Sequence, residues 1–167
     1  MAQKEFIMLR TIDNARFWDR VAHKYAKARI RDTAGYERTL ERCRSLFKAS
    51  DTVLEIGCGT GTTALQLAPS VARMVGSDVS NAMVAIAREK CIALGCPNAE
   101  FSVATAELGP GLEGSYDAVL AFNLLHLIAG VSYFKAGIPA EIRVESTELD
   151  SVTAEFLYAL YLHGLGE

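Results

Sequence analysis

The stretch Val53-Leu54-Glu55-Ile56-Gly57-Cys58-Gly59-Thr60-Gly61 restricts this chain to very few architectures. Thr52 to Ile56 is an apolar, β-branched run that reads as a buried strand, and the glycines break it abruptly. Gly57 and Gly59 permit a tight turn and a close ligand approach that any Cβ would obstruct. Thr62 to Leu67 opens a helix whose free N–H groups face the same crevice. A second strand, Val71 to Ser77, ends at Asp78, a carboxylate suited to accept both hydroxyls of a ribose. Strand, glycine turn, helix, strand, acid is the order of a nucleotide site at the carboxyl edge of a parallel sheet.

The kind of nucleotide follows from departures in that turn. An NAD-dependent oxidoreductase needs the third glycine of G-x-G-x-x-G, and Thr62 stands there instead. Here the glycines run G-x-G-x-G, with Glu55 two residues before the first. A carboxylate at that point repels a pyrophosphate and suits a ligand with an ammonium group and no phosphate. The pattern Glu-x-Gly-x-Gly-x-Gly, with Asp78 beyond it, resembles the first motif of class I S-adenosylmethionine-dependent methyltransferases. The resemblance implies an α/β, Rossmann-like, doubly wound and mostly parallel sheet. It also implies S-adenosyl-L-methionine as cofactor, bound by Glu55, Gly57, Cys58, Gly59 and Asp78, and methyl transfer to a small-molecule acceptor.

At 167 residues a single domain with a real core is expected. No run of 18 residues is uniformly apolar, so neither a spanning helix nor a membrane partner is expected. The first residues lack the charged, apolar and small-residue order of a secretory signal. Cys43, Cys58, Cys91 and Cys96 show no C-x-x-C spacing and no paired histidines, which argues against a metal and for reduced thiols in a cytoplasm. Cys58 reads as a small filler of the turn rather than a nucleophile. The net charge of −3 hides an asymmetry: residues 1–50 hold 12 Lys/Arg against 6 Asp/Glu, and residues 51–167 hold 5 against 14. The basic residues are interleaved with Asp19, Glu37 and Glu41, as on solvated helix faces, so nucleic acid is not the favoured partner.

Residues 1–13 show no periodicity and are expected to form a loose arm. Asp13 or Asn14 can cap a helix running to about Ile30, with Phe17, Val21 and Tyr25 on one face and Trp18 and Ala22 widening it. The words Phe-Trp-Asp-Arg-Val-Ala-His-Lys-Tyr, ending at Tyr25, resemble the N-terminal helix of small-molecule methyltransferases related to the ubiquinone-pathway enzymes. That resemblance makes residues 1–50 a helical lid and brings Tyr25 toward the methionine part of the cofactor. An aromatic face attracts a sulfonium on physical grounds too, while plain core packing is the reading of Phe17, Trp18 and Val21. Tyr36 to Phe47 is the next helix, with Leu40, Cys43, Leu46 and Phe47 as its apolar stripe, and Tyr36 either closes over the site or packs.

Ser80 caps a helix over Asn81 to Leu94, and Gly95 ends it. Helical spacing makes Met83 a core residue; the resemblance adds an adenine contact there and has Val79 flank the ribose. Phe101 to Ala104 is the third strand. The family commonly follows it with an acid and a small residue that hold the adenine, and this chain has Thr105 and Ala106. Thr105 offers one neutral hydrogen bond, weaker than a charge-assisted one, with Glu107 as an alternative acceptor. The N–H of Ala106 can still reach the ring. Tyr116 to Phe122 is the fourth strand, and Asp117 to His126 resembles the family's fourth motif. It places Asn123 at the crevice beside the transferred methyl. His126 has the intrinsic pKa of a general base, but its apolar turn favours a structural histidine. Asn123 and His126 are thus the only catalytic candidates, neither firmly assigned.

The resemblance spans about residues 14–130, with 51–130 as the cofactor-binding core. The tail, 131–167, lacks the helix, the Leu-x-Pro-Gly-Gly turn, the fifth strand and the final hairpin of the family. Ala140 to Val144 is expected as a short strand and Ser151 to Leu162 as a very apolar helix. The sheet should therefore be truncated or remodelled after its fourth strand, its open edge covered by that helix or by a second copy in a homodimer. The rival reading is a catalytically inactive relative that binds the cofactor or a partner chain.

Overall fold

The computed structural model describes residues 2–105, 116–122, 124, 143–147 and 157–161. Two helices lead, α1 (Ala2–Ala26) and α2 (Thr33–Leu46), and the glycine-bearing unit follows as β1 (Thr52–Ile56) and α3 (Thr62–Leu67). A single 3-10 turn (Ala68–Ser70) passes into β2 (Arg73–Asp78), then α4 (Asn81–Leu94), β3 (Ala99–Val103) and β4 (Ala118–Phe122). Two further strands, β5 (Arg143–Thr147) and β6 (Leu157–Tyr161), complete the described elements. The sheet order is β3-β2-β1-β4-β6-β5. The first four strands are parallel, and β6 runs antiparallel to both β4 and β5. The fold is α/β and Rossmann-like, remodelled after its fourth strand.

The strands that carry the site lie in the middle of that sheet, and their sequences are those of strands covered on both faces. Val53, Leu67, Met74, Val84, Phe101 and Leu120 belong to one buried cluster that joins β1, β2, β3 and β4 to α3 and α4. The start of β1 is locked to β4 by a reciprocal clamp. Thr52 N donates to Asp117 Oδ2 at 2.7 Å while Asp117 N donates to Thr52 O at 2.8 Å. The edge strand β3 is held by Arg88 of α4, whose Nε and Nη2 both donate to Phe101 O, at 3.0 and 2.7 Å. No helix among the described residues is long and apolar enough to cross a membrane.

Three expectations are corrected. Residues from Ala2 onward form α1 rather than a loose arm, since 2–12 contain good helix formers and no glycine or proline. The helix also stops earlier than Ile30: Lys27 N and Ala28 N turn back onto the carbonyls of Lys24 and Tyr25, three residues behind, which tightens and closes the last turn. The buried face of α1 is the second correction. Ala22 is fully buried with Trp18 and Ala26 against Met83 and Ile86 of α4, whereas Phe17 and Tyr25 remain 49% and 50% exposed. Small side chains at 22 and 26 let the helices approach closely, and that closeness, not the size of the apolar residues, selects the face. The third concerns the tail. Leu157 to Tyr161, expected within a helix, is strand β6, and the short strand expected at Ala140 to Val144 lies at Arg143–Thr147. The open side of β4 presents a row of unpaired N–H and C=O groups, and β6 satisfies them in register from Ala118↔Tyr161 to Phe122↔Leu157. The remainder of the expected helix lies outside the described residues.

Candidate functional site

At the carboxyl end of β1 the backbone turns through three left-handed glycines, with φ of 69° at Gly57, 53° at Gly59 and 71° at Gly61. The turn is tied down by Cys58 N donating to Ser77 O at 2.9 Å and by Gly61 N donating to Cys58 O at 2.9 Å. Space as well as dihedral angle excludes side chains here. A Cβ on Gly57 would stand 2.7 Å from the side chain of Leu124, which places the chain just beyond β4 against the turn. A Cβ on Gly61 would meet Ala87 at 2.8 Å and the Phe101 ring at 2.9 Å. Gly61→Ala is therefore expected to lower stability by about 2 to 5 kcal/mol, from backbone strain and overpacking together. Urea denaturation measures this; a loss below about 1 kcal/mol would mean that α4 and Phe101 yield easily.

Asp78, at the end of β2, is aimed by two amides. Its Oδ2 accepts from Gly59 N at 2.9 Å and its Oδ1 from Ser80 N at 2.9 Å. Each oxygen retains lone-pair capacity, so the carboxylate can accept two further donors. Burial pushes its pKa up, against the pull of those N–H groups. Val79 follows half-buried, and Met83 is buried in the α1–α4 contact, with its N–H capped by Ser80 Oγ at 3.1 Å. Ala104 N donates to Asp78 O at 3.0 Å, which brings the half-buried Thr105 beside the end of β2.

Glu55 lies beneath the turn and only 2% exposed. Burial, with Asp78 adding a smaller push in the same direction, raises its pKa to about 8, although the N–H of Ala64 draws it down. Its Oε2 has no hydrogen-bond partner among the described residues. Cys58 is 7% exposed, and burial first, then Glu55 and Asp78, pushes its thiol far up. Burial and a raised pKa both suit a thiol that fills space in the turn. Above the turn, the Tyr25 ring reaches to 3.5 Å from where a Gly59 Cβ would be, and its edge contacts Trp18 with centroids 6.0 Å apart. Tyr36 packs on α3 instead, its hydroxyl 3.3 Å from Thr63 Oγ1.

Two residues that sequence reasoning did not single out for the site also hold it. Lys90 Nζ, its pKa lowered by burial, donates to Thr60 Oγ1 and Thr62 Oγ1, both at 2.9 Å, bracing the far side of the turn. Asp19 of α1 accepts from Ser80 Oγ at 2.6 Å and Ala82 N at 3.0 Å. No local sequence signal could find either contact, because the partners are 28 to 63 positions away. Glu55, Gly57, Cys58, Gly59, Asp78, Val79 and Thr105 thus gather at the carboxyl ends of β1, β2 and β3 with Tyr25 over Gly59, whereas Met83 is buried between α1 and α4. Ala106, Glu107, Asn123 and His126 lie outside the described residues. Among the described residues no three His, Cys, Asp or Glu side chains gather as a metal site. What the arrangement offers chemically is a carboxylate with spare acceptor capacity, bare backbone, a buried acid below and an aromatic ring above.

Comparison with known proteins bears on the family and the fold. Residues 53–137, about half of the chain, match the family described as "Methyltransferase domain". A methyltransferase of Bacillus subtilis, the uncharacterized YcgJ, is 33% identical over 84 residues, covering 50% of this chain and 33% of its own. The UDP-N-acetyl-alpha-D-muramoyl-L-alanyl-L-glutamate epimerase of Xanthomonas oryzae pv. oryzae is 57% identical over 47 residues, 28% of this chain and 10% of that protein. The chain thus spans a third or less of the length of these curated relatives. Magnesium protoporphyrin IX methyltransferase (ChlM) from Synechocystis, solved with bound SAM, shares the fold with a TM-score of 0.60 over 90% of this chain and 95% of that one, at 17% identity.

Proposed function

From the premise that the chain belongs to the methyltransferase-domain family, matched over residues 53–137, we propose that it binds S-adenosylmethionine and transfers its methyl group to a small-molecule acceptor. The observation that carries this reading is the Asp78 carboxylate, fixed by Gly59 N and Ser80 N beside the glycine turn. The residues present fit the cofactor. Asp78 has acceptor capacity for a ribose diol, and the left-handed glycines leave a cradle that Cβ atoms would fill. The buried Oε2 of Glu55 has no partner among the described residues, and in its carboxylate form that group suits the ligand's ammonium. Tyr25 presents an aromatic ring suited to a sulfonium. Val79, Met83, Thr105 and Ala106 are assigned to the adenosine, and Asn123 to the neighbourhood of the methyl, by resemblance.

When bound, S-adenosylmethionine supplies a methyl on a sulfonium, an activated group that leaves readily. The protein's part is then alignment and exclusion of water, which is sufficient without a nucleophilic residue. Asp78 fixes the ribose, the glycine turn sets the depth, and α1 with Tyr25 roofs the crevice. The acceptor pocket is assigned to the space beneath the N-terminal helices.

The test is titration calorimetry with S-adenosylhomocysteine, followed by incubation with methyl-labelled donor and a panel of small acceptors. Saturable binding and label transfer are expected. A second reading has one observation in its favour: antiparallel β6 stands beside β4, where the family carries a parallel fifth strand. On that reading the protein binds the cofactor and transfers nothing, and tight binding with no labelled product on any acceptor is its signature.

A further inference from the structure

The lid helix and the proposed cofactor crevice are joined by a closed circuit of contacts. Asp19 on α1 accepts from Ser80 Oγ at 2.6 Å and from Ala82 N at 3.0 Å. Ser80 N donates to Asp78 Oδ1 at 2.9 Å, and Asp78 Oδ2 accepts from Gly59 N at 2.9 Å. The circuit closes through Tyr25, less than two turns beyond Asp19 on α1, whose ring lies over Gly59 at 3.5 Å from the place of its missing Cβ.

The Asp19 contact is more than a helix cap. Helix α4 already has its cap in Ser80, whose Oγ accepts from Met83 N at 3.1 Å. Asp19 adds a second acceptor, taking the N–H of Ala82 and the hydroxyl proton of Ser80, so that one serine is held from both sides. The two donors hold the Asp19 carboxyl below its usual range, and its charge in turn raises that of Asp78. Beside it, among the described residues, Trp18, Ala22 and Ala26 pack with Met83 and Ile86 in an apolar cluster, an attraction that is itself non-directional.

We infer that Asp19 is a positioning residue: it couples docking of α1 to the aim of Asp78, so that cofactor binding and lid closure are one linked equilibrium. The inference rests on the crevice being the cofactor site. Linkage is reciprocal, so a ligand that favours the docked α1 must itself be bound more tightly when α1 is docked.

The experiment uses the full chain and S-adenosylhomocysteine, with calorimetry for affinity and the emission of Trp18, the chain's only tryptophan, for α1 docking. In the wild-type protein the ligand is expected to shift Trp18 emission and to slow amide exchange over residues 12–26. Asp19→Ala is expected to weaken binding about 10-fold or more and to flatten the Trp18 response, as befits a lost charge-assisted pair. Asp19→Asn keeps an acceptor for Ala82 N and should recover part of both. A cap without coupling would lower thermal stability and leave the affinity of the folded protein unchanged. A folded Asp19→Ala variant that binds within twofold of wild type therefore overturns the inference. If that variant does not fold, the wild-type exchange data decide: ligand binding that leaves exchange over 12–26 unaltered overturns it equally. Absence of any wild-type binding heat would instead remove the cofactor reading on which the inference stands.

Discussion

Replacing Asp78 with alanine is expected to weaken S-adenosylhomocysteine binding by about 100-fold or more, the loss of two charge-assisted hydrogen bonds to a ribose. The same change removes the acceptor of Gly59 N and Ser80 N, two amides that hold the turn and the start of α4 in place. Asp78→Asn is no remedy. An asparagine must turn its NH2 group toward one of those two N–H donors, setting donor against donor, while its single oxygen keeps the other bond. Both variants should therefore lose binding, and Asn should show a local disturbance at Gly59 or Ser80 in amide chemical shifts. Calorimetry gives the affinities and thermal melting the accompanying stability. Retention of wild-type affinity by Asp78→Ala would mean that the ligand is not held by its ribose here, and the proposed function would fall with it.

The part of the chain that was legible from sequence is the part whose signals are local. Both ends of helix α4 are legible because Ser80 caps it through Met83 N and Gly95 closes it at φ 61°. Strand β1 is legible because a short apolar run meets three glycines, the residues that a left-handed turn accepts without strain. Asp78 followed from its spacing. What escaped is set by contacts distant in sequence. Asp19 looked like an ordinary charge on a solvated helix, and its partners lie 61 and 63 positions away. Phe17 and Tyr25 outweigh Ala22 in any hydrophobic count, yet Ala22 is the buried residue, because helix packing rewards close approach. Leu157 to Tyr161 is apolar enough for either a buried helix or a buried strand, and the unpaired edge of β4 decides between them. The sequence marks Glu55 as a carboxylate suited to an ammonium, but carries no sign of its near-complete burial. Its burial carries a cost in the free protein, and on the proposed function that same placement is what meets the ligand's ammonium.

That placement gives the second large effect, a pH dependence of opposite sign in folding and in binding. The carboxyl of Glu55 has a folded pKa of about 8 against an ordinary value of 4.5. Between those two values the folded protein holds a proton that the unfolded chain has released. Rising pH therefore favours unfolding across this window, with a slope of at most about 1.4 kcal/mol per pH unit, and the contribution is fully present only below the lower value. Glu55→Gln removes the titration while keeping an acceptor for the Ala64 N–H. The variant should gain stability over wild type progressively as pH rises from acid toward about 8, visible as a widening gap in urea midpoints. Binding runs the other way. An ammonium beside Glu55 favours the carboxylate, so affinity should rise with pH up to the same value and binding should release a proton. Calorimetry in buffers of different ionisation enthalpy counts that proton directly. Glu55→Gln should bind about 10-fold or more weakly and release none, since a neutral amide replaces one partner of a buried charge pair. Such an exchange of stability against binding is what an acid kept for its ligand predicts. Equal affinity in the variant, or wild-type heats indifferent to buffer, would leave Glu55 as a structural acid and move the ammonium elsewhere in the crevice.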